Sequence, residues 1–219
     1  MSTWIRHLVR PELSDPVAVV GSPGLRSVGQ LVIDYLKDEL KPTLIAELHS
    51  SHFPLFYQTS PSYTPSPEFP GEAGVRVDSS RPTLPEVEFH YSSAPELIIT
   101  RGYHANFYGQ YEVAERVLDV FEEWGVQRLI VIAGYAQEGA DVCCAATNVS
   151  LLKEMEGKGI EKGYEGPFYG FSGLVFGLAA LRDMKGICLF GRTQLSREYP
   201  ESPDRSVVDT IIEKLYRIL

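Results

Sequence analysis

Apolar positions along this chain follow two spacings. Residues 17–20, 97–100, 129–133 and 187–190 are short continuous apolar runs, the pattern of strands covered on both faces of a sheet. Between them apolar residues recur every three or four positions. Leu25, Val28, Val32, Tyr35, Leu36 and Leu40 form one stripe with Arg26, Asp34, Lys37 and Asp38 in between, which predicts a helix directly after the turn Gly21-Ser-Pro-Gly24. Phe107, Tyr111, Ala114, Leu118 and Phe121, interleaved with Glu112, Glu115, Arg116, Asp119 and Glu122 and followed by Gly125, predict a crossover helix between the runs at 97–100 and 129–133. Residues 43–48, after the helix stop at Pro42, read as a strand, and 142–146 as a further short one. Asn148 is suited to cap a helix through Met155. Val207, Val208, Ile211, Ile212, Leu215 and Ile218 stripe a terminal helix opened by Pro203 and Asp204. This alternation predicts an α/β fold, a three-layer sandwich with a mostly parallel sheet, as a single domain over residues 1–219.

Three segments depart from that rhythm. A loop at 53–74 contains Pro54, Pro61, Pro65, Pro67 and Pro70, too many missing amide donors for regular structure, and a loop of this length is expected to cover or contact something. Residues 74–78 and 86–91 alternate with period two and are expected to pair as a hairpin with one wet face. Residues 172–182 are apolar nearly all round, with Gly170, Gly173 and Gly177 permitting close backbone approach; such a helix is expected to be buried on most sides, in the core or under a neighbouring subunit. Together with the terminal stripe it supplies more apolar surface than one small sheet covers. The expectation is a homo-oligomer, a trimer or a multiple of it.

Composition narrows the partners. Of 219 residues, 20 are basic and 29 acidic, for a net charge of −9, and 44% are hydrophobic, enough for a sizeable core. Without a run of Lys or Arg the chain lacks the counterion-release term that drives nucleic-acid binding, and anionic membranes are disfavoured on the same ground. The apolar stretch at 166–181 contains Pro167 and several glycines and is shorter than the ~20 residues of a spanning helix. No apolar block of signal-peptide length opens the chain. Three cysteines, Cys143, Cys144 and Cys188, have neither disulfide-framework nor CxxC spacing. The chain is expected to be cytoplasmic, reduced, and free of metal and cofactor.

Chemistry concentrates at strand ends. Gly21-Ser-Pro-Gly-Leu-Arg26 with Gly29 sits where the first strand meets the first helix. Amides at a helix start, with Ser22, Gly24 and Arg26 from the turn and Arg101 from another strand end, would hold a small anion. The other reading is a tight turn whose Gly29 lets the helix pack closely, since the run matches neither GxGxxG nor GxxxxGK[ST]. His104 and Asn106 join Arg101 at the edge where α/β sheets place ligands; alternatively His104 is a surface loop residue and Asn106 caps the next helix. Adjacent Cys143 and Cys144 suggest redox chemistry, or a nucleophile at Cys144, but in an apolar strand they read better as inert small hydrophobes. His49 and His52 follow a strand with no third donor near them in sequence, so coordination is not expected. No GxSxG or HExxH is present, and no catalytic residue is assigned.

Taken in order, Gly21-Ser-Pro-Gly24 with Gly29, the strand and loop from Leu97 to Gly102, Val131-Ile-Ala-Gly134, the block from Val142 to Asn148, Gly170-Phe-Ser-Gly-Leu174 and Ile187-Cys-Leu-Phe190 resemble the proteasome assembly chaperone 2 family, in particular its single-domain archaeal branch. The resemblance runs from Val17 to Leu215. It implies a core related to nucleoside phosphorylases without a demonstrated enzyme site, and a non-catalytic role as an assembly chaperone or activator binding proteasome α-subunits or the core particle. Members of this kind often carry a tail ending in hydrophobic, Tyr, any residue. Here Leu215, Tyr216 and Arg217 have that order but Ile218 and Leu219 follow, so these five residues are the candidate partner contact, with the proline-rich loop as the other. The turn at 21–26 also looks like the phosphate loop of nucleoside phosphorylases, in which an Asp commonly takes the place of Ser22. The alternative function is therefore a phosphorylase-like enzyme or a small-anion-binding protein.

Overall fold

The four continuous apolar runs lie side by side. β7 (Glu96–Arg101), β2 (Val17–Gly21), β8 (Arg128–Tyr135) and β11 (Lys185–Arg192) are each hydrogen-bonded in parallel to the next. Successive residues alternate between two cores because strand side chains alternate faces. Ala18, Val20, Ile98, Leu129 and Val131 pack with α2 (Gln110–Glu123) and α4 (Gly170–Leu181). Val19, Leu97, Ile99, Ile130 and Ile132 pack with α1 (Val28–Leu40), α3 (Val149–Gly157) and α5 (Val208–Ile218) on the other side. Helices therefore cover both faces of the centre. This computed structural model describes residues 2–54, 74–139, 141–194 and 202–219.

Outside that centre the sheet changes character. β6 (Val87–Ser93) is antiparallel to β7, β3 (Thr43–Ser50) to β6, and β1 (Thr3–His7) to β3. At the far edge β9 (Val142–Ala146) runs antiparallel to β11, and the two-residue β10 (Glu161–Lys162) is parallel to β9. The nine-stranded sheet is mixed, with the order β1-β3-β6-β7-β2-β8-β11-β9-β10, and the expected mostly parallel sheet is corrected. The reason is connectivity: only Ala94 and Pro95 separate β6 from β7, and a two-residue link permits only antiparallel pairing.

Other expectations are also revised. Residues 74–78 do not pair with 86–91; instead β4 (Arg76–Asp78) forms a separate ribbon with β5 (Arg81–Thr83), while β6 enters the main sheet. Alternation fixes which face of a strand is buried but not which partner it takes. α2 begins after Gly109, whose φ is +80°, so Asn106 is not its cap. Asn148 does cap α3, accepting a bond from the Leu151 amide at 3.0 Å. α4 buries Phe171, Ser172, Val175, Leu178 and Ala179 and half-buries Gly173, Leu174 and Phe176, while Gly177, Ala180 and Leu181 are exposed within the chain. Residues 55–73 of the proline-rich loop lie outside the described residues. No helix among the described residues is long and apolar enough to cross a membrane.

Candidate functional site

A cleft of about 520 Å³ opens at the carboxyl edge of β2 and β8, beside the point where α1 leaves β2 on one face and α2 runs from β7 to β8 on the other. This is the switch position where open α/β sheets hold ligands. The turn after β2 supplies Ser22, Gly24 and Ser27. Gly134 and Tyr135 come from β8, His104 and Asn106 from the loop after β7, and Tyr164, Phe168 and the start of α4 form the opposite wall.

The turn is glycine-rich because backbones meet there. A Cβ at Gly21 would lie 2.3 Å from the Gly29 carbonyl oxygen, and one at Gly29 would lie 2.6 Å from that of Ile132, so helix and strands pack without intervening side chains. Arg26 and Ser27 follow with φ of 50° and 55°, a left-handed pair of non-glycine residues of the kind that stores of order 1 kcal/mol or more each. Several bonds hold the pair. The Ser27 amide donates to Gly24 O at 2.9 Å, the Asp204 amide to Arg26 O at 2.9 Å, and the Arg26 guanidinium to Gln194 O at 2.6 Å and to Ser202 O.

Those bonds carry the Arg26 side chain away from the cleft, and it is not among the lining residues. Arg101 also points elsewhere, lying 3.8 Å from Asp34 and 3.7 Å from Glu88. Of the four residues expected to cradle an anion, the structure brings Ser22 and Gly24 to the cleft and directs both arginines to other partners. Among the described residues, no Asp, Glu, Lys or Arg lines the cleft. His104, half-buried, accepts the Asn106 amide at its Nδ1, 3.1 Å away, and burial holds its pKa below the usual imidazole value; at neutral pH it is uncharged.

The cleft has hydroxyl and stacking capacity instead. α1 and α4 both start at it, and neither N-terminus has a side-chain cap; backbone carbonyls take their first amides, Leu25 O that of Val28 and Ala105 O that of Phe171, the latter at 2.7 Å. Ser22 and Ser172 share a hydroxyl–hydroxyl bond of 2.8 Å that ties the turn to α4. Tyr164 stacks on Phe190 at 4.3 Å, next to Phe168 and Phe171. The sequence reading missed this aromatic wall, although the density of aromatics and glycines from Gly163 to Gly173 marked it. Cys143 and Cys144 are buried on β9 and Cys188 on β11, and burial pushes all three thiols up, Cys144 to about 11. They behave as small hydrophobes.

A second polar group lies across the antiparallel half of the sheet. Glu88 on β6 receives the Lys37 ammonium at 2.5 Å and meets His90 at 2.9 Å. Burial opposes ionisation there, but these two partners outweigh it and hold Glu88 down at about 2. Glu86, two residues earlier, goes the other way: burial and the nearby charges of Glu47 and Glu88 push it up to about 7. His49 joins Glu47 and Glu86, with its Nε2 3.5 Å and 3.8 Å from their carboxylates, so a third donor absent from the local sequence is supplied in space. His52 turns to Glu112, at 3.0 Å.

The C-terminal residues are folded in. Leu215 and Ile218 are buried against α1 and β11, Tyr216 donates to Glu39 at 2.9 Å, and the Lys158 ammonium donates to Ile218 O at 2.9 Å. Arg217 pairs with Glu213, and Leu219 is exposed.

The fold has known counterparts. PbaB of Pyrococcus furiosus, an archaeal proteasome activator, superposes with a TM-score of 0.80 and 28% identity, covering 100% of this chain and 89% of the other. PbaA of the same organism, an archaeal homolog of proteasome-assembly chaperone, gives 0.75 at 20% identity over 99% and 85%. An uncharacterized protein of Methanocaldococcus jannaschii is 25% identical over 189 residues, 83% of this chain and 67% of its own. The PAC2 family model matches residues 18–218, a span that contains the parallel centre and the whole cleft, and the chain belongs to the PAC2 family.

Proposed function

We propose that this protein is a non-catalytic partner of the proteasome, an assembly chaperone or activator that binds the α-ring of the core particle or free α-subunits. The supporting observation is the likeness to PbaB, which runs through the full length of the chain at 28% identity. The contact uses folded surface and not a released tail. Freeing Leu215-Tyr216-Arg217 exposes the buried Leu215 and Ile218 side chains, a loss of about 4 kcal/mol for two aliphatic residues, or roughly a thousandfold in affinity. Surface plasmon resonance on core particle and α-subunits from the same source tests this. Binding below tens of micromolar is expected, and Tyr216→Ala should change it less than threefold. No interaction at that concentration removes the assignment; loss of binding in Tyr216→Ala transfers the contact to the tail.

A second reading, small-molecule binding, is favoured by the lack of charged side chains among the described residues that line the cleft. Its chemistry suits an uncharged molecule with a flat ring for the Tyr164–Phe171 wall and a carbonyl-type acceptor for the Ser22 and Ser172 hydroxyls, and its volume falls within the range of ligand sites. Saturation-transfer NMR with nicotinamide, with benzoate as the anionic control, should show contact for the amide alone. Gly24→Trp should abolish it: Gly24 has extended backbone, and its added Cβ meets nothing nearer than Ser22 O at 3.9 Å. Equal signals for both probes, or signals unchanged in the variant, defeat the reading.

A further inference from the structure

One side-chain cluster lies apart from the cleft, in the antiparallel half of the sheet. Glu47 and His49 are two residues apart on β3 and so point to the same face. The register that sets Leu48 opposite Val87 brings Glu86 alongside His49. His49 is 8% exposed, and its Nδ1 lies 3.2 Å from the Pro85 carbonyl oxygen. That oxygen can only accept, so Nδ1 carries a proton, and in the neutral ring Nε2 is a bare lone pair. Among the described residues Nε2 makes no hydrogen bond, and it faces the two carboxylates at 3.5 Å and 3.8 Å.

We propose that Glu47, His49 and Glu86 bind a divalent transition-metal ion of the zinc type, with these three side chains as its protein ligands. Their donor atoms all lie within 4.8 Å of one another, so a common point exists no more than about 2.8 Å from each; shifts of well under 1 Å reach the ~2.0–2.2 Å of zinc bonds to imidazole and carboxylate. A ligating histidine normally donates its other ring N–H to a carbonyl or carboxylate, which fixes tautomer and ring orientation, and Pro85 O occupies that position. An imidazole in the set selects zinc, iron, cobalt or nickel over magnesium and calcium, which prefer all-oxygen shells. Three protein ligands leave a position for water, and the Glu86 side chain, 23% exposed, gives the ion a way in.

Other groups face the cluster. Arg6 on β1 lies 3.3 Å from Glu47 and competes with a cation for it, but its side chain is 66% exposed and free to swing out. The Trp4 ring is 5.7 Å from His49 and screens one side. Glu88 is already engaged by Lys37 and His90.

The test uses the full chain, stripped with EDTA and titrated with zinc by calorimetry and by competition with a chromophoric chelator. One ion per chain is expected, with Kd in the micromolar range or tighter. Glu86→Gln, which keeps the side-chain shape, and His49→Gln should each weaken binding at least about tenfold. Arg6→Ala should tighten it several-fold by removing the competing cation, which loss of a merely structural pair would not do. Cobalt(II) in the same site should show no thiolate charge-transfer band, which separates it from the three cysteines. Zinc binding weaker than about 100 µM, equal affinity in wild type and in both glutamine variants, or a thiolate band overturns the proposal. Circular dichroism of each variant confirms that the fold is retained.

Discussion

The parallel centre and the antiparallel half of one sheet treat polar groups in opposite ways. Between Leu97 and Thr100, Ala18 and Val20, Leu129 and Ala133, and Ile187 and Phe190 the strands carry no ionisable group except Cys188, because helices cover both faces and an ion there would lose its water. Polar chemistry is pushed to the strand ends, where the cleft lies. In β3 and β6 the charges sit mid-strand: Glu47, His49, Glu88 and His90 share one face that α1 only borders through Asp34 and Lys37. There, neighbours decide the protonation state, as Glu86 and Glu88 show by moving in opposite directions within one strand turn. Coverage, more than strand propensity, sets where a sheet can hold charge.

Truncation should expose the difference most. Ile130→Ala on β8, fully buried between two helical layers, should destabilise by about 4 kcal/mol in urea unfolding, whereas Ile5→Ala on the half-covered β1 should lose about 1 kcal/mol. Similar losses for the two would break the comparison.

The next effect is on pH dependence. The raised pKa of Glu86 means the folded chain holds that proton more tightly than the unfolded one, so its contribution is complete below about pH 4.5 and is lost as pH rises through about 7. Glu86→Gln lacks this loss. Measured with EDTA present, its stability relative to wild type should increase from pH 4 to pH 8 by about 2 kcal/mol, after allowance for partial exposure. Glu88 acts in reverse: its contribution is present above about pH 4.5 and is lost as pH falls toward about 2, so Glu88→Gln should flatten the acid limb. A flat difference for Glu86→Gln would mean its neighbours do not crowd it.

Asn148→Ala gives the smallest effect, about 1 kcal/mol from the lost cap of α3, since one helix end on the outer layer carries it. Thermal unfolding at neutral pH measures it, and no change would mean the Leu151 amide finds water at no cost.

Apolar runs and local periodicity by themselves determined the four central strands and the helices α1, α2 and α5, though α5 starts at Val208 and not at Pro203, and Asn148 marked α3; each depends on residues within a few positions of one another. The family resemblance rested instead on particular blocks, such as Gly21-Ser-Pro-Gly24 with Gly29, where helix and strand pack backbone to backbone. Strand partners lay beyond it: β6 alternates as an edge hairpin would, yet besides its neighbour β7 it is paired on its other side by β3, some forty residues earlier. The cleft was half legible. Ser22 and Gly24 were found because they adjoin a strand–helix turn, whereas the Ser172 partner of Ser22 lies 150 residues away. Arg26 was assigned to an anion and is held instead by the carbonyls of Gln194 and Ser202, and only the return of the chain past the turn decides that. The grouping of Glu47 and His49 with Glu86 is likewise tertiary. Sequence sets which face a side chain takes, and the register between strands sets what it meets there.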